Sequence, residues 1–405
     1  MLKICMVVHQ NYYVDGRVRR YAESLTEAGA QVDILCVRND KVTRGENRQG
    51  IRVMTIPVGR GYKNRLSYIF EYALAFILFT FYLLAQHLKH RYDVIHVHNM
   101  PDFLIFVALI PKWLGAKLIL DIHDPMPEFY MSKYTTPRET LSVRLLRLQE
   151  RCSAWMAHEV ITANPFFREN LILRGIPADK IMVINNIPNE KIFSRNGYHR
   201  DFQNRRQHFT LIYPGTIAPR YHLDIAIRAL PKIMPRVPNV RLKIIGPLVD
   251  YAEELKHLAQ RLGVHEFVEF HPAIKISEVP QQLLQADLGI YLALPDAHMN
   301  IATPSKVLEF AAMGLPIIAS RLKVLETFFN DSALQFVTPG DVEAFAEAVV
   351  TLHRSSEKRE QMVRHADAAF VRTYSWSKEM HKYFDLLRRL KHTVEEQTQD
   401  VDNAR

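Results

Sequence analysis

Apolar residues along this chain switch regularly between short runs of strand length and stripes of helical spacing. Residues 2–9 form one such run, and residues 17–28 then place Val18, Tyr21, Ala22, Leu25 and Ala28 on one helical face ahead of Gly29, a glycine suited to a C-terminal cap. Residues 31–37 and 51–56 predict two more strands. After a long apolar helix over 66–85, strands are expected at 93–98, 116–123 and 159–162, with helices over 102–114 and 137–157. Strands that are apolar throughout and alternate with helices belong to a parallel sheet covered on both faces.

The pattern pauses at 189–208, a polar and basic stretch, and then restarts. Strands are predicted at 209–214, 240–245, 268–270, 288–294 and 315–319, with helices over 222–234 and 251–262 and a further one from Thr303. This is a second doubly wound α/β unit. The chain divides into domains over 1–195 and 205–372, then an amphipathic segment over 375–392 and a polar tail over 393–405 read as flexible. Trp376, Met380, Tyr383, Phe384 and Leu387 supply the apolar side of the amphipathic segment, which could pack across either domain. Two such domains in tandem are expected to face each other across a cleft, with ligands at the carboxyl ends of the strands.

Composition narrows the partners. The 405 residues suit two domains, and 48% hydrophobic with 23% charged residues is an ordinary globular balance. A net charge of +9 favours anionic partners: nucleic acid, acidic membrane or phosphorylated small molecules. With no zinc-finger spacing and no aromatic-basic RNA motif, a nucleic-acid partner is not expected. The denser basic run at Arg195, His199, Arg200, Arg205 and Arg206 reads as a solvated linker. Cys5, Cys36 and Cys152 are far apart, which fits a reducing compartment, and the N-terminus reads as a strand with no cleavage pattern. The 66–85 segment is just long enough to span a bilayer and is flanked by Lys63, Arg65, Lys89 and Arg91. Glu71 lies within it and a strand follows directly, so a span would split one α/β core across the membrane. A helix lying in an anionic membrane interface and a plain buried helix both stay open.

Candidate chemistry clusters at strand ends. In Thr303-Pro304-Ser305-Lys306-Val307-Leu308-Glu309, Thr303 suits the N-cap and Pro304 the first helical position. A helix N-terminus attracts phosphate, Lys306 adds a full charge there, and Glu309 one turn on could accept two ribose hydroxyls. Gly215 and Gly246, each after a predicted strand, would let a ligand approach the backbone, and Arg220 could clamp a diphosphate bidentately. In the first half, His123 and Glu128 follow a strand. His96 and His98 alternate onto one face of another strand, a pair that could bind metal but lacks a third ligand at metal spacing nearby. The loop 9–17, with Asp15, Gly16 and Arg17, is polar and aromatic and lacks the triple-glycine dinucleotide fingerprint, so neither nicotinamide nor flavin is called for.

In order along the chain come Asp15-Gly16-Arg17-Val18-Arg19-Arg20, His96-Val97-His98-Asn99, Asp121-Ile122-His123-Asp124 with Pro127-Glu128, Gly215-Thr216 with Arg220, and Pro304-Ser305-Lys306-Val307-Leu308-Glu309 with Gly314-Leu315-Pro316. As a set they resemble the retaining family-4 glycosyltransferases of GT-B fold, over nearly the whole length. The resemblance implies two Rossmann-like domains facing across a cleft, with the 375–392 helix crossing back onto the first. It implies a nucleotide-sugar donor held in the second domain by Gly215, Thr216, Arg220, Gly246, Asn300, Ser305, Lys306 and Glu309. His123 would touch the transferred sugar and, with Glu309, Arg220 and Lys306, make up the catalytic set. Asp15, Gly16, Arg17, His98 and Glu128 would lie toward a glycan or polyprenyl-linked acceptor. No cofactor and no obligatory metal is implied. The setting would be cell-surface polysaccharide synthesis, in the cytoplasm or on the inner face of the membrane. The chain departs from the family at Ile301, where many relatives carry a second Glu eight residues before the helix Glu. Asp296, His298, Asn300 or backbone N–H groups would then have to contact the donor sugar. Two other classes fit parts of the sequence: a metal-dependent hydrolase using His96, His98, Asp121 and His123, and a non-catalytic nucleotide-sugar-binding protein.

Overall fold

The protein is described here by a computed structural model covering residues 1–38, 47–48, 50–58, 65–138, 140–203 and 207–403. Lys63, Arg205 and Arg206 lie outside the described residues. The chain forms two compact units, 1–186 with 377–405, and 187–376.

The first unit begins β1 (Lys3–Val8), α1 (Gly16–Glu27), β2 (Gln31–Val37), β3 (Asn47–Arg48), β4 (Ile51–Ile56), α2 (Arg65–His90) and β5 (Val94–His98). A 3₁₀ turn (Asp102–Ala108) leads into α3 (Leu109–Trp113), and then come β6 (Lys117–Ile122), α4 (Met126–Tyr134), α5 (Leu141–Met156), β7 (Glu159–Thr162), α6 (Pro165–Leu173) and β8 (Ile181–Val183). The strands order as β3-β4-β2-β1-β5-β6-β7-β8, parallel except for the β3–β4 pair. Side chains alternate across the sheet. One face carries Val7, Val97, Leu120 and Val160 into an apolar core closed by Phe79 and Leu83 of α2 and by Ala154 and Met156 of α5. The other face carries the polar residues His96, His98 and Asp121, all with no exposed surface.

The second unit runs β9 (Phe209–Pro214), α7 (Leu223–Ile233), β10 (Val240–Ile245), α8 (Asp250–Arg261), β11 (Val268–His271), α9 (Val279–Gln285), β12 (Leu288–Tyr291), α10 (Ser305–Ala312), β13 (Ile317–Ser320), α11 (Lys323–Glu326), β14 (Gln335–Val337), α12 (Val342–Arg354) and α13 (Ser356–Ala366). Its six strands, ordered β11-β10-β9-β12-β13-β14, are all parallel. The last helix, α14 (Trp376–Asn403), returns to the first unit, where Glu379 accepts both the backbone and the side-chain N–H of Asn185.

Three local expectations change. The helix expected over 102–114 is a 3₁₀ turn followed by one short α-helix, and the sequence reading did not include α4, α6, α9, α11, α12, α13 or the strands β3, β8 and β14. The tail from Thr393 continues α14 as helix to Asn403, a stretch with no glycine or proline to stop it. Nor are Arg195 and Arg200 part of a solvated linker. Arg195 donates to the carbonyls of Ala311 and Ala312 and pairs with Asp367, while Arg200 donates to the carbonyls of Leu283, Ala286 and Gly314. Helix ends leave carbonyls unbonded, and these two arginines cap the C-termini of α10 and α9.

Candidate functional site

In the second unit, three neighbouring strand ends and one helix start meet. After β9 the chain turns at Gly215, whose φ is +139°, and its N–H donates to Ile245 O at 2.7 Å. A Cβ at Gly215 would lie 2.1 Å from Lys306 Cε, and one at Gly246 would lie 2.0 Å from Gly215 O. Both positions therefore need glycine to let backbone and Lys306 come together. Lys306 Nζ lies 4.6 Å from the Tyr221 ring centroid and 5.3 Å from that of Tyr213. The Arg220 guanidinium lies 5.2 Å from the same Tyr221 ring. One tyrosine thus holds both expected diphosphate cations within a single patch. Burial keeps Tyr213 and Tyr291, which share this cluster, neutral, with phenol pKa values well above the ordinary range.

α10 starts at Ser305. Pro304, and not Thr303, is its N-cap, and no side chain caps it. The reason lies in proline chemistry: Pro304 has φ −80° and ψ 100°, an extended conformation from which the helix begins one residue later. A helix N-terminus has backbone N–H groups without intrahelical partners, and its dipole favours negative charge there. Glu309, one turn further, is 9% exposed on a helix whose neighbours Val307, Leu308 and Phe310 are fully buried.

The loop before α10 is built for rigidity. Asp296 Oδ1 accepts the N–H groups of His298 and Met299, both at 2.7 Å, and Asn300 Oδ1 accepts the Lys323 N–H at 3.0 Å. Asn300, expected to touch the donor, thus spends its oxygen on the start of α11. Thr216 is exposed, and its carbonyl accepts the Tyr213 hydroxyl at 2.9 Å.

In the first unit the expected residues form two groups. Asp121 accepts Arg17 Nε at 2.7 Å, Arg17 Nη2 at 3.1 Å and His98 Nδ1 at 3.1 Å. Arg17 also donates to Ile184 O and Tyr21 Oη and is 4% exposed, so its charge serves Asp121 and not a ligand. A carboxylate in the middle of a sheet requires such a partner. Arg17 and His98 hold Asp121 well below the ordinary carboxylate range despite burial, which pushes the other way. Burial depresses the imidazole pKa of His98, and that of His96 further. His96 Nδ1 meets the Tyr383 hydroxyl of α14 at 2.8 Å. His123, whose Nδ1 is 3.7 Å from Asp121, has an 18% exposed side chain, the most exposed of this network. Asp15 caps α1 by accepting from Arg17 and Val18 N–H, and Gly16 opens that helix into free space.

The donor atoms of His96, His98 and Asp121 lie within 4.8 Å of one another, so the third metal-type ligand missing from the sequence spacing is Asp121. The group still fits a cation poorly. Both Asp121 oxygens already face the Arg17 guanidinium, and His98 turns its N–H toward the same carboxylate. Glu128 belongs to a different group. It accepts Arg174 Nη1 at 2.5 Å and Asn170 at 3.1 Å, and Arg174 also pairs with Glu150.

Sequence reading missed Asn99, whose amide donates to Asp102 and to Asp124 O while its oxygen accepts the His123 N–H at 3.2 Å. The motif His96-Val97-His98-Asn99 contained it, but only the tertiary contact gives it this task. Tyr221, next to Arg220, was likewise passed over.

Two α/β units, each built on a mainly parallel sheet, with a glycine-framed cationic patch at the strand ends of the second, set the architecture. Residues 14–186 match the model of the glycosyl transferase 4-like domain, and residues 208–355 that of the glycosyl transferases group 1. The chain belongs to the group 1, family-4 glycosyltransferases of GT-B fold. It is 34% identical over 139 residues, 33% of this chain and 35% of the relative, to a GDP-mannose-dependent α-(1-6)-phosphatidylinositol monomannoside mannosyltransferase of Mycolicibacterium smegmatis. To a D-inositol 3-phosphate glycosyltransferase of Thermomonospora curvata it is 22% identical over 76% of this chain and 74% of the relative. The first of these matches spans about a third of the relative's length. Among solved structures, sucrose-phosphate synthase from Thermosynechococcus elongatus superposes with a TM-score of 0.77 at 18% identity, over 97% of this chain and all of that one. Anabaena HepE in complex with UDP gives 0.69 at 16% identity, over 96% and 100%.

Proposed function

We propose that this glycosyltransferase moves a sugar, with retention of anomeric configuration, from a nucleoside-diphosphate sugar to a glycan or lipid-linked acceptor. The observation that carries the reading is the meeting of Gly215, Gly246, Lys306, Arg220 and the α10 N-terminus. Two cations and a helix N-terminus suit a diphosphate, both as bound group and as leaving group, without an obligatory metal. Glu309 takes the ribose hydroxyls. In the first unit the same reading gives His123 the transferred sugar, and Arg17 serves the network behind it. The acceptor hydroxyl attacks on the face from which the diphosphate departs, and a diphosphate oxygen takes its proton. The chemistry suits polysaccharide or glycolipid synthesis on the cytoplasmic side of a membrane. α2 supports membrane contact: Glu71–His90 is long and apolar enough to cross a bilayer by length and composition, and Ile77, Phe81 and Leu88 point outward.

The donor is testable first. GDP-mannose named in one relative and UDP-glucose bound in HepE are the two to compare. A donor that binds only the folded chain raises its melting midpoint. Glu309→Ala is expected to keep the fold and to lower sugar transfer at least a hundredfold; transfer at the native rate would refute the assignment. Full activity after exhaustive chelation is expected, whereas loss of activity would return the metal-dependent hydrolase to consideration.

A further inference from the structure

Helix α5 faces the wrong way for a soluble protein. Its inward side carries Glu150 and Ser153 beside Val143, Ala154 and Met156, all buried, while Leu141, Leu145, Leu148 and Trp155 stand outward and exposed. Their spacing of three, four and seven residues makes one continuous stripe. Arg144 and Arg151, both exposed, run along its edge, and α5 itself places no carboxylate on that side, because its one acid, Glu150, is turned inward. At the far end α3 joins it: Lys112 Nζ donates to Met156 O at 2.8 Å, which brings the exposed end of α3 to the exposed end of α5. Trp113 is 74% exposed and Trp155 80%, whereas Trp376 is 3% exposed. Lys180 Nζ donates to Trp155 O at 3.3 Å, so a second ammonium stands at the same place. Burial first, and then the charges of Lys112, Lys117 and Lys180, depress the His158 imidazole to about 4, so three ammonium groups stand around this end, with Asp179 and Glu159 near Lys180.

We infer that the outer face of α5 with the end of α3 docks on an anionic phospholipid bilayer, the two tryptophans and the leucine stripe entering the headgroup boundary while Arg144, Arg151, Lys112 and Lys180 meet lipid phosphates. A water-exposed stripe of this size needs a cover. Charge decides which: a second copy of the chain would bring arginine toward arginine, whereas lipid phosphates complement the basic edge. Tryptophan beside lysine and arginine is the composition of a membrane boundary, and a helix with an apolar face and a basic edge lies in that plane. The surface is separate from α2, and the inference rests on the proposed function only in placing the chain at a membrane.

The test uses the full chain and needs no sugar transfer, so its failure is distinguishable from failure of the enzymatic reading. Flotation with phosphatidylcholine vesicles, with and without phosphatidylglycerol, is expected to show binding only when the anionic lipid is present. Bromine-labelled lipids are expected to quench Trp113 and Trp155 but not Trp376, as read in single-tryptophan variants. Leu145→Gln with Leu148→Gln, both exposed, should leave the melting midpoint unchanged and weaken vesicle binding at least tenfold. Vesicle binding with no quenching of Trp113 or Trp155 would overturn the inference and leave α2 as the only contact. A dimer in solution that this double variant turns into a monomer, without loss of vesicle binding, would overturn it in favour of a copy–copy interface.

Discussion

At the scale of single residues, the second unit's site is set by what is missing. Gly215 and Gly246 contribute no side chain, and that absence lets the Lys306 stem lie against a strand end. Gly215→Ala meets two obstacles, a backbone at φ +139° and a Cβ at 2.1 Å from Lys306 Cε. The backbone strain alone costs about 1–3 kcal/mol. If Lys306 yields, the ammonium leaves its place over Tyr221, and a bound diphosphate loses one of its two cations. Nucleoside-diphosphate affinity measured by calorimetry is expected to fall about tenfold or more, roughly 1.4 kcal/mol. Gly263→Ala is the control: φ there is +66° with nothing within 4 Å of the added carbon, so it should cost stability and leave affinity alone. The sequence pointed to both glycines by their place after strands. It gave no hint that Tyr221 gathers the two cations, since a ring contact between a loop residue and a helix residue has no sequence period.

At the scale of elements, α4, α5 and α6 are tied together by too many acids for one base. Glu128 of α4, Glu150 of α5 and Asp102 of the 3₁₀ turn are buried near the Arg174 guanidinium just after α6. One positive charge cannot satisfy three carboxylates out of water, so burial outweighs pairing, and Glu150 is raised to about 8 and Asp102 to about 6. A carboxyl with a raised folded pKa holds a proton that the unfolded chain has already released. Stability from Glu150 is therefore full below the ordinary carboxylate range and is lost as pH climbs toward about 8. The melting midpoint is expected to fall between pH 6 and pH 8, and Glu150→Gln, which keeps the shape without the charge, should flatten that fall. A midpoint equally pH-dependent in the variant would refute the account. This cluster also explains a misread motif. Pro127-Glu128 looks like a site because it follows a strand end, but α4 is short and turns the Glu128 carboxylate toward Arg174, a residue 46 positions away. Most of the longer strands, by contrast, were legible, because a parallel sheet buried on both faces leaves unbroken apolar runs, whereas β3, β8 and β14, two or three residues each, are too short to leave one.

At the scale of the whole molecule, the chain order and the folding units do not coincide. The first unit is completed by α14, whose Met380, Tyr383, Leu386, Leu387 and Leu390 are buried and whose Tyr383 meets His96 under β5. The amphipathic spacing from Trp376 announced a helix but not its partner, because a pairing across 287 residues leaves no local trace; only the family resemblance pointed to the first domain. Burying one large apolar side chain is worth about 1.5–3 kcal/mol, and five of them together rival the whole stability of a domain. A chain ending after Trp376 keeps the 187–376 unit entire, including the Trp376 N–H donated to Glu190, and strips the first unit of its cover. That truncation is expected to abolish one cooperative transition in scanning calorimetry and to spare another. The surviving transition should still rise with added nucleoside diphosphate, by about 2.7 kcal/mol at a hundredfold excess over the dissociation constant, because Gly215, Gly246, Lys306 and Glu309 all lie in the spared unit. Loss of the nucleotide-dependent transition instead would mean that the phosphate-holding residues depend on the first unit for their fold, and the assignment of donor binding to residues 187–376 would fail.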